Sequence, residues 1–193
     1  MSIRASQSEH ASKCRNQPPV SSSDDDLSRF QHLPEGAGVH RAFLNHLATV
    51  KVEPGDSASG LGAVEFLAPR GFGPPLHVHR EEDELFYVID GSVRFQLDGK
   101  VVNGEAGAVL ALPCRVAHTF QVESTTARFL TVVAGRRSAP SFIELVGHLG
   151  LEMAEARLPE PVEIHPGQVA DACSRHGIDV LGPPPARQEP ASR

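Results

Sequence analysis

From His46 to Ala134 the apolar residues come in short β-branched and aromatic runs broken by turn residues. "HLATVKV" (46–52) and "AVEFLAP" (63–69) flank a Gly/Ser-containing loop, and "LHVH", "ELFYVI", "VRFQL", "KVV", "AVLAL", "HTFQV" and "ARFLTVVA" follow. Asp90-Gly91 and Asp98-Gly99 fall between extended segments, the dipeptide signal of a hairpin turn that needs positive φ. No helical pattern of about 10–15 residues separates the strands, which argues against a parallel α/β sheet, and an all-β sandwich or barrel is predicted. After Gly135 the period changes. Phe142, Ile143, Leu145, Val146 and Leu149 lie on one face of a short helix within 138–150, and "HPGQVADACSRHG" (165–177) predicts a second helix, with Pro near its start and Gly at its end.

The flanks differ from this middle. Residues 1–36, with "SSSDDD" at 21–26, hold few large apolar side chains and read as a disordered tail; 183–193 reads as a second loose tail. The predicted organisation is a barrel over 37–136 and a helical appendage over 137–182, within 193 residues and one main domain. A formal charge of −6 argues against nucleic acid as partner. No apolar run reaches the roughly 18 residues of a membrane span, and the first residues carry no hydrophobic signal segment. Three widely spaced cysteines make no disulfide framework, and a cytoplasmic protein is expected.

The candidate chemistry lies in "GFGPPLHVHREEDELFYVIDG" (71–91). Residues two apart on a strand share a face, so His77 and His79 project together. On the next strand Glu84 shares its face with Phe86 and Val88. A carboxylate is costly there unless a cation compensates it. Glu81 and Glu82 fall in the turn and are read as solvated; Asp83 points away. Further on, His118 opens a strand whose same face carries Phe120 and Val122. If that face lines the same interior, three imidazoles and one carboxylate converge.

Gly71, His77, His79, Glu84 and Gly91 fill every place of a spacing that resembles the first cupin motif, and Gly107, Pro113 and His118 resemble the second. Arg115 stands where that second motif has glycine, and Val122 where it often has asparagine. The chain is most similar to single-domain bacterial cupins of the quercetin 2,3-dioxygenase type, a similarity covering about residues 40 to 185. The resemblance implies an all-β cupin barrel, or jelly roll, with a short C-terminal helical segment. It also implies one divalent transition metal (Fe, Ni, Zn, Cu, Co or Mn) held by His77, His79, Glu84 and His118. A homodimer is expected, because cupins commonly pair.

The expected function is that of a metal-dependent dioxygenase acting on a flavonol-like or other enolisable aromatic hydroxy-ketone, with O₂ as co-substrate. Glu84 would be the catalytic proton acceptor as well as a ligand. The alternatives are a non-redox isomerase or cyclase of secondary metabolism, and a non-catalytic cupin that binds a metal or small molecule. The remaining histidines (His10, His32, His40, His46, His148, His165 and His176) are read as surface or capping residues. Tyr87 is read as packing between layers, Cys114 as a small packed residue, and Leu130 as part of the interior together with Phe86, Val88, Phe95, Leu110, Leu112 and Phe120.

Overall fold

The computed structural model describes residues 30–57, 59–136 and 139–186. Most of the two expected tails, with His10, Cys14 and "SSSDDD", lies outside the described residues. After β1 (Val39–Phe43), each apolar run of the sequence forms a strand: β2 (His46–Val52), β3 (Leu61–Pro69), β4 (Leu76–His79), β5 (Asp83–Asp90), β6 (Ser92–Leu97), β7 (Lys100–Glu105), β8 (Val109–Leu112), β9 (His118–Val122) and β10 (Thr126–Ala134). Helices α1 (Phe142–Leu149) and α2 (Pro166–Arg175) stand where the 3.6-residue period predicts them, with the two-residue strand β11 (Leu151–Glu152) between them and β12 (Ile178–Gly182) after. The sequence reading has no counterpart for β1, β11 or β12.

Among the described residues the strands form two antiparallel sheets. One runs β11-β1-β2-β3-β10-β5-β8 and the other β12-β4-β9-β6-β7. The faces of Phe86, Val88 and Phe129 from the first meet those of Val93, Phe95, Phe120 and Val122 from the second, all buried in one core. Alternation is clean in β5 and β10, where every second residue is buried. It is lost in β9, buried throughout. There Thr119 donates to the Pro74 carbonyl and Gln121 to those of Pro185 and Ala186, so chain segments cover both faces.

Of the two Asp-Gly turns, only one closes a hairpin. Asp98 and Gly99, at φ +44° and +78°, join β6 to β7 with Leu97 opposite Lys100. Asp90-Gly91 instead carries the chain from one sheet to the other, since β5 pairs with β10 and β8 while β6 pairs with β7 and β9. Gly91, at φ +81°, is packed so tightly there that a Cβ would stand 2.4 Å from the Thr126 carbonyl oxygen. The dipeptide predicts the positive φ but not the sheet that receives the next strand.

Two interior assignments need correction. Leu130 is only partly buried, because the inward parity of β10 belongs to Phe129, Thr131 and Val133. Tyr87 is 41% exposed, on the face of β5 opposite buried Phe86 and Val88.

The helices complete the enclosure. Ser141 caps α1 with a reciprocal box: its hydroxyl accepts from the Glu144 amide and the Glu144 carboxylate accepts from the Ser141 amide. That end-fixing lets an eight-residue helix bury Ile143, Leu145 and Val146 against the barrel. From α2, Val169, Ala172 and Cys173 join the same core. β12 then lies along β4, with Ile178 opposite His79 and Val180 opposite His77.

Candidate metal centre

His77 lies opposite His118 in the β4–β9 register, and His79 follows two residues on. Three imidazoles therefore gather on the five-stranded sheet. Glu84 comes from the facing sheet, opposite Val133 of β10 and Leu112 of β8. One ligand atom from each of the four lies within 4.8 Å of all the others. His79, Glu84 and His118 are buried and His77 half-buried. The structure thus brings together all four residues selected by spacing and parity.

The ring orientations follow from what each Nδ1 faces. In His77 it is the Pro75 carbonyl at 2.8 Å, and in His118 the Val116 carbonyl at 2.9 Å, each two residues back along the strand. In His79 it is the Glu82 carboxylate at 3.2 Å. An Nδ1–H donated outward leaves Nε2 directed at the common centre. There His118 Nε2 lies 2.9 Å from Glu84 Oε2 and donates to it, so with both nitrogens protonated this ring is an imidazolium. His79 Nε2 is 3.5 Å from the same oxygen and, though buried, makes no hydrogen bond.

The electrostatics follow from burial among like and unlike charges. Burial holds the His77 imidazole far below its usual range, at about 3, with His118 and His79 adding to the effect. Burial alone would raise Glu84; His79, the His118 hydrogen bond and charge, and His77 together outweigh it and bring the carboxyl to about 2. Burial would likewise lower His118, but its hydrogen bond and charge pairing with Glu84 prevail and raise it. The centre is thus a fixed carboxylate facing one protonated ring and one orphaned nitrogen. A divalent cation fits this donor set. It would satisfy His79 Nε2, replace the proton between His118 and Glu84, and offset the buried charge.

His77 and Glu84 form one wall of an apolar pocket that also takes in Phe43, Phe66, Phe72, Phe120 and Phe142. His46 lines it too and corrects its reading as a surface residue: it is 3% exposed, its ring 4.1 Å from that of Phe72 and 4.8 Å from that of Phe66. Burial, opposed only by a contact with the Leu44 carbonyl, keeps its imidazole neutral with a pKa of about 3. Glu82 is the other correction. It is 6% exposed, because its carboxylate is drawn inward by His79 and by the Phe142 amide. Glu81 and Asp83 are exposed as expected, and Asp83 accepts from the Cys114 amide. Arg115 adopts φ +67°, the left-handed conformation that a glycine would take freely, and its amide donates to the His79 carbonyl at 2.8 Å. The turn before His118 thus keeps the shape a glycine would give it.

The Cupin domain family matches residues 63–133. A quercetin 2,3-dioxygenase of Bacillus subtilis (strain 168) is 29% identical over 100 residues, which are 51% of this chain and 29% of that enzyme. The chain therefore spans less than a third of the length of that curated relative. Among solved structures, a predicted oxalate decarboxylase from Thermotoga maritima superposes with a TM-score of 0.48 at 21% identity, covering 52% of this chain and 94% of that one. KdgF from a Halomonas species superposes with a TM-score of 0.43 at 18% identity, covering 49% and 82%. No helix among the described residues is long and apolar enough to cross a membrane. Residues 63–133 are thus the part of the chain that is similar to the Cupin domain family.

Proposed function

We propose that the protein is a metal-dependent dioxygenase that cleaves a flavonol-like or other enolisable aromatic hydroxy-ketone. The observation that carries this reading is the juxtaposition of the four-residue donor set with a phenylalanine-lined pocket, two of the four, His77 and Glu84, standing in the pocket wall. His77, His79, Glu84 and His118 would hold one divalent transition metal, which when bound supplies a Lewis acid that lowers the pKa of a substrate hydroxyl.

The chain's own residues do the rest. The phenyl rings favour a flat aromatic body and exclude water from it. Glu84 is anionic across the physiological range and takes the hydroxyl proton; with a pKa of about 2 it holds that proton only in passing and returns it readily. Neutral His46 is a polar group on an otherwise apolar wall and offers a ring nitrogen to a second oxygen of the substrate.

The test is elemental analysis of protein purified without added metal, followed by O₂ uptake with quercetin. About one metal per chain and quercetin-dependent O₂ consumption that Glu84→Ala abolishes are expected. A metal-loaded protein that consumes no O₂ with any flavonol sinks the dioxygenase reading, and anaerobic turnover would transfer it to a non-redox cupin enzyme.

A further inference from the structure

Glu82 belongs to none of the four ligands and to no strand. It ends the link, residues 80–82, between β4 and β5. A glutamate in such a link is ordinarily solvated. Here one carboxylate oxygen, Oε2, accepts from two groups at once, buried His79 Nδ1 at 3.2 Å and the half-buried Phe142 amide at 3.0 Å. The Phe142 amide is the first of α1, one that no turn of the helix can satisfy. The fit around the carboxylate is close, since a Cβ on Gly135 would stand 2.8 Å from Glu82 Cγ.

Both partners lead to the centre. A carboxylate accepting from the outer nitrogen of a ligating histidine fixes its tautomer and raises its basicity. In His79 that leaves Nε2 as the buried nitrogen without a partner, directed at the centre. The helix that Glu82 holds at its other contact carries Phe142 and Leu145 into the pocket wall, and the Phe142 ring meets that of His79 edge-on at 5.7 Å. We propose that Glu82 is the positioning residue of the metal centre, a single carboxylate oxygen that orients His79 and seats the helix closing the pocket, so that metal occupancy and pocket closure are coupled. This rests on the metal reading above and adds to it a residue and a coupling. By reciprocity, whatever metal binding gains from a seated α1, the seating of α1 gains from metal.

The test compares wild type, Glu82→Ala, Glu82→Gln and Ser141→Ala by cobalt(II) titration followed in the visible spectrum, with amide hydrogen exchange at Phe142 measured with and without cobalt. Because both hydrogen bonds end on one oxygen, a glutamine can keep them and lose only the charge. Ser141→Ala loosens the same helix end without touching His79. Glu82→Ala is expected to lose about 10- to 100-fold in cobalt affinity, the usual cost of an outer-shell partner, with an altered ligand-field spectrum. Glu82→Gln should fall between it and wild type, and Ser141→Ala, which disturbs the helix end but leaves His79 oriented, should lose far less than Glu82→Ala. Cobalt should slow exchange at Phe142 in wild type and not in Glu82→Ala. Equal affinity in Glu82→Ala and wild type, equal loss in Ser141→Ala, a glutamine variant as weak as alanine, or Phe142 exchange indifferent to cobalt would each overturn the inference while the metal reading stands. A wild-type chain that takes up no cobalt sinks the metal reading and this inference with it.

Discussion

On the metal reading proposed above, His118 is the residue whose proton an incoming cation must displace. Its pairing with Glu84 raises its pKa above 6.5, whereas His77 is already neutral down to about 3. Below the His118 pKa each metal ion bound releases a proton, so Zn²⁺ affinity should fall about tenfold per pH unit there and level off above it. His118→Ala should weaken binding and abolish that slope together, a pair of outcomes that isothermal titration at several pH values distinguishes. The convergence of the four residues was legible in the sequence because His77, His79, Glu84 and His118 sit on strands, where parity dictates direction. Glu82 was not: it lies in a turn, where parity has no meaning, and its second partner is Phe142, 60 residues away. His46 escaped for another reason. Residues 46–50 of β2 are buried on both faces, so no polar alternation marks which residue lines a pocket.

At the scale of elements, the two Asp-Gly turns carry the same signal and do different work. Gly99 has open space around its missing Cβ, so Gly99→Ala should cost only the left-handed conformation, about 1–2 kcal/mol. Gly91→Ala adds a clash with backbone at 2.4 Å, and overpacking of that kind costs about 1–3 kcal/mol more. Urea midpoints should therefore rank wild type above Gly99→Ala and Gly99→Ala above Gly91→Ala; the reverse order would mean the corner between sheets is not where the strain lies. The strands of the barrel were readable because their β-branched runs and Gly/Asp turns are local features. β1, β11 and β12 were not, being short strands at or next to a sheet edge with pairings to neighbours distant in the chain: Arg41 on Glu152, Ile178 on His79.

The molecule as a whole holds several groups that titrate in one direction. His46 folds neutral with a pKa of about 3, against 6.5 in the open chain. Between those values the unfolded state binds a proton that the folded state refuses, so stability falls as pH drops through that window, by up to about 1.4 kcal/mol per pH unit per group. His77 acts likewise in the metal-free protein, and Glu84, lowered from 4.5 to about 2, adds stability that is lost over that lower range. Metal-free protein should therefore melt at progressively lower temperature below pH 6.5. His46→Phe should shed part of that dependence while keeping the packing against Phe66 and Phe72, which thermal melts across the pH range would show. A slope unchanged by His46→Phe would mean that His46 is not buried neutral.

The order of the residues along the chain also sets an order in time. All four residues of the candidate centre precede residue 119, while the helix in the pocket wall begins at Phe142 and the strand that flanks His77 and His79 begins only at Ile178. During synthesis the centre is therefore complete in composition before it is enclosed. A newborn chain presents all four side chains before the helix that Glu82 holds has been made. On the metal reading proposed above, a cation could therefore be taken up before the pocket is closed.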